Sequence, residues 1–263
     1  ILGGIGFPLL INLKRLLSYY WSKLLFIIGL KGTSHSRYSH LIDTNTKMVL
    51  YTTGILVFGG TALFALLEWN GALGFYSPDE KLVQCFFNAV VPRTAGFNSV
   101  ATSEFSRLTI LMLIVLMWIG GASQSTAGGI KVNTLAVAFA SLKSLILGRE
   151  VTELFSREIT YNSIRRALVV IFGSVIIILI IFVLILIHEP AIPAIKILFE
   201  TVSAFSTVGS SLGITSALCT ESKFFLVIIM FIGRVGFITV LMSFVAKEEN
   251  KKYKLPKEDI IIN

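Results

Sequence analysis

Two long uncharged stretches constrain the fold of this chain more than any other feature. Residues 48–67 form a run of twenty uncharged, mostly apolar residues, and residues 167–187 form a run of twenty-one. At about 1.5 Å per residue, a helix of either length covers the roughly 30 Å hydrocarbon core of a bilayer. Charged residues make up only 14% of the chain, well below the ~25% of typical soluble domains. The sequence therefore predicts an all-α membrane protein.

The chain also contains an internal repeat. Thr-Ala-Gly at positions 94–96 recurs as Thr-Val-Gly at 207–209, and 24 residues after each tripeptide glycine stands another glycine, Gly120 or Gly233. Both markers give the same period, since 209 − 96 and 233 − 120 both equal 113. A lone Thr-x-Gly is commonly just a turn. Two copies with matching spacing indicate a duplicated structural unit.

Each repeat carries a short apolar segment directly before its tripeptide. In the first repeat, Ser77, Pro78 and Glu80 form a helix-start signal with a capping box, and Pro92 ends the helix. Such a helix is only ~20 Å long, so it enters a bilayer but cannot cross it. Residues 194–205 are the corresponding segment of the second repeat. The pattern predicts re-entrant helices, each followed by a loop at membrane depth.

The apolar sequence from residue 108 to 147 is too long for one straight crossing. A continuous helix of that length would measure ~60 Å, about twice the hydrocarbon core. The glycine- and serine-rich residues 120–131 mark the break, and non-helical backbone at this depth is tolerated only inside protein or beside a water-filled cavity. The sequence predicts a broken second helix whose loop constricts an ion path. Close helix packing by small residues is the alternative interpretation.

The two tripeptide loops are the predicted ion-binding site. Potassium-selective pores replace the water around the ion with backbone carbonyl oxygens, and glycine permits the positive φ and close approach that such loops need. The C-terminal ends of the two short helices add partial negative charge. The predicted selectivity filter comprises Thr94, Ala95, Gly96, Phe97, Thr207, Val208, Gly209 and Ser210, with K⁺ coordinated at Thr94, Gly96, Thr207 and Gly209.

Arg234 lies near the middle of the last apolar stretch, residues 223–246. An arginine at that depth costs about 2.5–3.5 kcal/mol on insertion scales and needs partners inside the protein. Its repeat counterpart is Gly121, since 234 − 113 equals 121. We expect Arg234 to hold the broken loop by its carbonyls or to pair with an acid; a static structural bridge is the alternative. The predicted gate residues are Gly120, Gly121, Ser123, Ser125, Thr126, Gly128, Gly129, Lys131 and Arg234.

The basic residues predict the orientation of the chain. Sixteen of the 23 lysines and arginines lie before the first long stretch, between the repeats or after the last stretch. The positive-inside rule places all three segments in the cytoplasm, so the short helices dip in from outside. Because the chain opens on Ile1 within an apolar run, we interpret it as the C-terminal part of a longer protein. The predicted organisation comprises the end of an upstream transmembrane helix (1–17), a cytoplasmic connector (18–46), the first repeat (47–147) with its gate loop (120–131), a second connector (148–166), the second repeat (167–246) and a cytoplasmic tail (247–263).

Other functional classes find little support in the sequence. The loop after Gly120 has no Gly-Lys-Ser/Thr, so it is not a phosphate-binding P-loop, and its serines lack the last glycine of a hydrolase elbow. The three histidines are distant in sequence from Ser123, so no nucleophile–base pair is indicated. The +8 net charge follows the membrane pattern rather than a nucleic-acid patch. Cys85 and Cys219 lack metal-ligand spacing and are interpreted as packing residues.

Three motifs together resemble the Trk/Ktr/HKT superfamily of potassium transporters. They are Arg-Thr-Ala-Gly-Phe-Asn from position 93, Gly-Gly-Ala-Ser-Gln-Ser-Thr-Ala-Gly-Gly-Ile-Lys-Val from 120, and Phe-Ser-Thr-Val-Gly-Ser from 205. The resemblance covers nearly the whole chain and is strongest to the membrane subunits of Ktr systems. It implies four M1–P–M2 repeats around one pore, each with a long helix, a re-entrant pore helix and a second long helix. This chain would supply the third and fourth repeats, and the loop contacted by Arg234 would be the intramembrane gate.

The resemblance also implies a function and partners. We expect a pore-forming subunit for potassium uptake across the plasma membrane rather than an enzyme, with K⁺ as the transported ion and Na⁺ as a candidate activator. It implies a homodimer in membrane lipid, seated on a cytoplasmic ring of KtrA/TrkA-like subunits that bind the regulatory nucleotide, and no nucleic-acid partner. The alternatives are a sodium or mixed-cation transporter of the same superfamily, a membrane-embedded hydrolase and a non-transporting scaffold subunit.

Overall fold

A computed structural model describes residues 2–27, 43–149, 151–236, 239–240 and 242 of the chain. Its elements in chain order are α1 (Leu2–Ile5), α2 (Phe7–Ile27), α3 (Thr44–Glu68), α4 (Pro78–Val90), a 3₁₀ turn (Thr102–Glu104), α5 (Arg107–Trp118), α6 (Val132–Ile146), β1 (Glu153–Leu154), β2 (Arg157–Glu158), α7 (Tyr161–His188), α8 (Ala194–Phe205) and α9 (Thr220–Val235).

The two repeats have the same order of helices. Each begins with a long apolar helix, α3 or α7, and among the described residues these two are long and apolar enough to cross a membrane. Each then has a short helix, α4 with 13 residues or α8 with 12, which at ~1.5 Å per residue cannot span the hydrocarbon core. The second helix of the first repeat is broken into α5 and α6, as the sequence predicts.

The start of α4 has the predicted capping geometry. The hydroxyl of Ser77 accepts a hydrogen bond from the backbone of Glu80, and the Glu80 carboxylate accepts one from the backbone N–H of Ser77 at 2.9 Å. Pro78 occupies the first helical position, where its missing N–H costs no hydrogen bond. The cap therefore fixes where the chain turns into the short helix.

A carboxylate links the two long helices of each repeat in the same way. Glu68, at the end of α3, accepts a hydrogen bond of 2.8 Å from the backbone N–H of Ser106, the N-cap of α5. Glu189, the C-cap of α7, accepts one of 2.6 Å from the N–H of Cys219, the N-cap of α9. Ser106 and Cys219 are 113 residues apart (219 − 106). Cys219 thus caps a helix and is not the packing residue that the sequence suggested.

The link made by Glu189 depends on pH. The hydrogen bond from the backbone of Cys219 lowers the pKa of the Glu189 carboxyl below its ordinary value. A carboxyl with a lowered pKa in the folded state stabilises that state above its ordinary pKa. This contribution is lost as the pH falls through the lowered value, when the carboxylate takes up a proton.

Replacing Glu68 by alanine should destabilise the fold. Its carboxylate is only 1% exposed and also accepts hydrogen bonds from Thr109 Oγ1 at 2.5 Å and from the N–H of Ala72 at 3.1 Å. Each buried donor left unpaired costs about 1–3 kcal/mol. We expect a lower unfolding temperature for the full-length Glu68→Ala variant in detergent. Glu189→Ala, at the less buried counterpart, should have a smaller effect; equal effects would contradict this account.

The largest hydrophobic cluster joins the two repeats. It includes Phe64 of α3, Met117 of α5, Phe199 of α8 and Ile229 of α9, none of them more than 1% exposed. Burying side chains of this size contributes roughly 1.5–3 kcal/mol each. The two short helices are therefore held inside one packed unit by the helices of both repeats.

Three helix boundaries differ from the sequence prediction by six residues or more. The helix predicted to end at residue 17 continues as α2 to Ile27, because lysine and arginine mark a membrane boundary but favour helix. The long helix predicted from residue 167 begins six residues earlier, at Tyr161. The crossing predicted to reach residue 246 is interrupted at Gly236, whose φ of 97° is not helical. The tail at 247–263 and residues 28–42 of the first connector lie outside the described residues.

A small antiparallel hairpin, β1–β2, departs from the predicted all-α class. Phe155 and Ser156 form its two-residue turn, with φ of 50° and 60°. Positive φ at both central residues matches the right-handed twist of paired strands and is typical of a type I′ turn. Asn-Gly or Asp-Gly would signal such a turn, and neither is present here, so this hairpin was not predicted from the sequence.

Candidate functional site

The two Thr-x-Gly tripeptides, 113 residues apart in sequence, lie against each other. A methyl carbon added at Gly96 would stand 2.2 Å from the carbonyl oxygen of Val208 and 3.6 Å from Cα of Gly209. A side chain at position 96 would thus collide with the backbone of the other tripeptide. At Gly209 no described atom lies within 4 Å of the equivalent methyl position. The fold therefore brings both predicted filter segments to one place.

Both tripeptides have the same unusual backbone conformation. The threonines have positive φ, 69° at Thr94 and 52° at Thr207, and so do the glycines, 68° at Gly96 and 88° at Gly209. Positive φ in a β-branched residue is a genuine outlier and costs of order 1–3 kcal/mol. Such strain persists only where the surrounding structure imposes it, and it clusters at functional sites. The sequence predicted positive φ for the glycines but not for the threonines.

The remaining predicted filter residues differ in their surroundings. Phe97 is 71% exposed and Ala95 is exposed, whereas Val208 is buried. Ser210 is also buried, and its carbonyl oxygen accepts a hydrogen bond of 2.6 Å from the hydroxyl of Ser203 on α8. That carbonyl therefore has a partner within the protein, unlike an oxygen that is free to replace the water around an ion.

The glycine-rich loop (residues 120–131) closes on itself between α5 and α6. Ile119 and Ile130 form an isolated β-bridge, and the N–H of Ile130 donates to the carbonyl of Trp118 at 3.1 Å. A methyl carbon at Gly120 would stand 2.1 Å from the carbonyl oxygen of Gly128. Glycine at position 120 is thus required for the two sides of the loop to meet.

Three basic side chains donate hydrogen bonds to carbonyls of this loop. Arg234 donates to the carbonyl of Thr126, and Lys131 donates to that of Ala127. The third is Arg93, whose Nη2 lies 3.3 Å from the carbonyl oxygen of Gly120. The predicted contact between Arg234 and loop carbonyls is therefore present in the structure. Arg234 makes no salt bridge within the described residues.

Arg93 is a site residue that sequence reasoning missed. It is buried, and it stands immediately before the first tripeptide. Its repeat counterpart is Ser206 (93 + 113), whose buried hydroxyl has no hydrogen-bond partner in the described part of the chain. A single basic residue between Pro92 and a filter threonine was the available signal, since a buried charge at membrane depth is a functional-site hypothesis by default.

The glycine-rich loop also contacts the second tripeptide directly. The backbone N–H of Gly128 donates to the hydroxyl of Thr207 at 2.9 Å. A methyl carbon at Gly128 would stand 2.7 Å from that hydroxyl oxygen, and one at Gly129 would stand 2.9 Å from Ser206 Oγ. The loop therefore packs without side chains against the base of the second tripeptide loop.

The other predicted gate residues shape the loop or bind its neighbours. Ser125 Oγ donates to the carbonyl of Ala122 at 2.6 Å, which closes a tight turn. Thr126 binds the N-terminal segment, since its N–H donates to the carbonyl of Gly3 at 3.3 Å. A methyl carbon at Gly121 would meet the carbonyl of Gly4 at 2.5 Å. Ser123 is half-buried. The residues before α2 therefore cover one side of the loop.

The described residues contain no group of three or more His, Cys, Asp or Glu side chains that could hold a metal ion. His188, the histidine that the structure describes, lies at the end of α7 and packs against the ring of Phe225. The serines of the glycine-rich loop have no imidazole partner there. The geometry presents backbone carbonyls and hydroxyls, which bind alkali cations by oxygen coordination.

Nearly the whole chain matches one known protein family. Residues 1–255 match the family TrkH, described as a cation transport protein. The chain belongs to the TrkH family. A chain of this family is a membrane protein of a transporter family, so the superfamily resemblance inferred from the three motifs is confirmed.

Curated relatives of this TrkH-family chain are named as potassium transporters. It is 33% identical over 264 residues to the Ktr system potassium uptake protein B of Vibrio alginolyticus, covering 99% of this chain and 53% of the relative. It is 36% identical to the protein of the same name from Bacillus subtilis, covering 99% and 54%. It is 34% identical to the potassium/sodium uptake protein NtpJ of Enterococcus hirae, covering 100% and 55%. The chain thus spans about half the length of these relatives.

The fold of this TrkH-family chain also resembles a solved structure. The crystal structure of the potassium transporter TrkH from Vibrio parahaemolyticus matches with a TM-score of 0.62 at 18% identity, over 77% of this chain and 44% of the other. The match supports the mostly helical architecture.

Proposed function

We propose that this chain forms half of the ion pathway of a potassium uptake protein in the plasma membrane. The observation that carries the proposal is the approach of Gly96 to the carbonyl of Val208, which gathers two oxygen-rich loops at the ends of two short helices. Relatives named for potassium uptake support K⁺ as the ion. The chain would be the pore-forming subunit of a Ktr/Trk-type system, with no enzymatic activity.

Selectivity would come from the backbone of the two tripeptides. Each would form the pore loop of an M1–P–M2 repeat, directly after the re-entrant helix α4 or α8. The strained φ values of Thr94 and Thr207 set their carbonyl directions. The C-terminal ends of α4 and α8 carry partial negative charge, which favours a cation. K⁺ would be coordinated at Thr94, Gly96, Thr207 and Gly209 and would move down its electrochemical gradient.

The glycine-rich loop would act as the gate. Arg93 and Arg234 donate hydrogen bonds to its carbonyls, and its Gly128 N–H donates to the Thr207 hydroxyl. These cations also place positive charge beside the path, which opposes the passage of K⁺. Opening the gate would require the loop to give up these contacts.

The basic segments support a topology with both connectors and the tail in the cytoplasm. In that orientation the re-entrant helices α4 and α8 enter the membrane from the outside.

We also propose a homodimer in the lipid bilayer that sits on a cytoplasmic ring of KtrA/TrkA-like subunits. Nucleotide would bind to that ring alone, and Na⁺ would act as an activator.

One observation favours a second candidate, a potassium/sodium transporter. The relative from Enterococcus hirae is named a potassium/sodium uptake protein and is as similar to this chain as the Ktr proteins are. A filter that passes both ions would need less rigid carbonyl spacing than a potassium-selective one. Competition between the two ions therefore separates the candidates.

The proposed function predicts rescue of potassium-starved cells. The full-length protein, expressed with its regulatory subunit in bacteria lacking their own potassium uptake systems, should restore growth on low potassium. The uptake of K⁺ should persist in excess Na⁺ for a potassium-selective protein and fall for a mixed-cation one. Absence of K⁺ uptake by protein that is present in the membrane would refute the proposal.

The proposed gate predicts leakage when Arg93 loses its charge. Arg93→Gln removes a charge-assisted hydrogen bond to Gly120, which should raise K⁺ flux through the closed state about tenfold. The measurement is K⁺ flux into liposomes containing the full-length protein without its regulatory ring. Arg93→Lys keeps the charge and should leak less, and Arg107→Gln, at an exposed arginine, is the control. Equal flux in Arg93→Gln and wild type would count against a role of Arg93 in holding the gate closed.

A further inference from the structure

Glu200 on α8 is a buried carboxylate that the proposed mechanism does not yet use. It is 7% exposed and stands seven residues before Thr207, on the short helix that leads into the second tripeptide. No basic side chain pairs with it within the part of the chain that the structure describes. A buried carboxylate without a cation is costly unless hydrogen bonds compensate it.

Hydroxyl groups from the segment after the tripeptide supply that compensation. Ser211 Oγ donates to Glu200 Oε1, and Thr215 Oγ1 donates to the same oxygen at 3.0 Å. The Ser211 hydroxyl also accepts a hydrogen bond of 2.9 Å from the N–H of Gly213. One turn further along α8, Ser203 holds the carbonyl of Ser210. Side chains of α8 therefore hold residues 210–215 in place by hydrogen bonds.

The first repeat fixes its corresponding segment without a charge. Ser99 Oγ donates to Gln84 Oε1 of α4 at 2.6 Å and accepts from Asn88 Nδ2 at 3.4 Å. The position equivalent to Glu200 is Phe87 (200 − 113). Since neutral amides suffice to hold one segment, a carboxylate in the other adds something beyond anchoring. It brings one negative charge to α8, the helix that leads into the second tripeptide.

The two tripeptide glycines differ in how closely other parts of the chain approach them. A methyl carbon at Gly209 would meet no described atom within 4 Å, whereas Gly96 lies against Val208. The spacing and stiffness of carbonyl ligands decide which alkali ion a filter prefers. The hydrogen bonds between α8 and residues 210–215 therefore influence how firmly the carbonyls of the second tripeptide are held.

We propose that Glu200 is a positioning residue that sets the K⁺ affinity and the K⁺-over-Na⁺ preference of the second tripeptide loop. It does so by anchoring Ser211 and Thr215 and by contributing a fixed negative charge on the helix that leads into this tripeptide. This inference rests on the proposed function and deepens it. It assigns the discrimination between the two ions to a side chain outside the Thr-x-Gly motif.

Three variants of the full-length protein separate the two contributions of Glu200. Glu200→Gln keeps an acceptor oxygen for both hydroxyls but removes the charge, so it should raise the KM for K⁺ uptake a few-fold and keep the preference over Na⁺. Glu200→Ala removes both, so KM should rise about tenfold and Na⁺ should inhibit uptake. The double variant of Ser211→Ala with Thr215→Val keeps the charge but removes the anchors, so it should mainly weaken the preference over Na⁺.

The matched control is Glu104→Gln, which removes a charge from an exposed acid in the 3₁₀ turn and should leave KM and Na⁺ inhibition unchanged. All values are normalised to protein in the membrane, so that a merely structural effect lowers Vmax in proportion to abundance and leaves KM unaltered. If Glu200→Ala does not accumulate, Glu200→Gln and the double variant decide the question.

The outcomes distinguish this inference from the function on which it rests. Failure of the wild type to take up K⁺ would refute the proposed function and this inference with it. Uptake by the wild type, together with variants of Glu200 and of its hydroxyl partners that keep the wild-type KM and Na⁺ inhibition, would overturn the inference alone.

Discussion

Gly96→Ala should abolish K⁺ uptake by the full-length protein while Gly209→Ala retains part of it. The methyl group at position 96 would stand 2.2 Å from the carbonyl oxygen of Val208, a distance at which the two tripeptides must separate. Alanine would also have to adopt the φ of 68° found at Gly96, which costs roughly 1–2 kcal/mol. Both effects disturb the backbone of the tripeptides that are proposed to bind the ion.

Gly209→Ala introduces the backbone strain without the clash between the tripeptides. Its φ is 88°, so alanine is strained there too, but the methyl group meets no described atom within 4 Å. The measurement is initial K⁺ uptake in cells, corrected for the amount of protein in the membrane. Equal losses in the two variants would show that backbone strain alone, rather than the contact between the tripeptides, accounts for the effect.

Gly233→Ala should prevent the protein from folding normally. A methyl group at this position would lie 1.8 Å from the carbonyl oxygen of Phe205, the last residue of α8, so α9 could no longer approach the short helix. Overpacking of a buried contact costs up to about 3 kcal/mol, and occasionally more. We expect the full-length variant to accumulate poorly and to unfold at a lower temperature in detergent.

The control for this variant is Gly59→Ala in α3. There a methyl group meets no described atom within 4 Å, and alanine in a helix interior is favoured over glycine by roughly 0.5–1 kcal/mol. This variant should fold at least as well as the wild type. Normal abundance and stability of Gly233→Ala would show that α9 and α8 are not as closely packed as described.

Local signals in the sequence predicted local structure well. The capping box of Ser77 and Glu80 and the limits of α8 are confirmed, because each depends on residues only a few positions apart. The break after α5 was also predictable, since one helix of that length exceeds the bilayer. The ends of α2 and α7 were predicted less well. Charged residues locate the membrane surface, and a helix continues beyond it where its residues favour helix.

The site was predictable only in part, since its long-range contacts leave no trace in neighbouring residues. The repeat spacing identified Gly96 and Gly209 as candidates, but the roles of these residues as a filter stay a prediction. The positive φ of Thr94 and Thr207 is imposed by the surrounding fold. The contact of Arg93 with Gly120 joins residues 27 apart, and that of Gly128 with Thr207 joins residues 79 apart.

The hydrogen bond from Gly128 to the Thr207 hydroxyl has one further consequence. Under the proposed function, one residue takes part in both the gate and the ion site, because the Thr207 hydroxyl accepts the N–H of the loop while the Thr207 backbone carbonyl would coordinate K⁺. An ion that binds this carbonyl acts on the residue whose hydroxyl holds the loop. Permeation and opening would then be thermodynamically linked through a single residue, with the transported ion helping to release the gate.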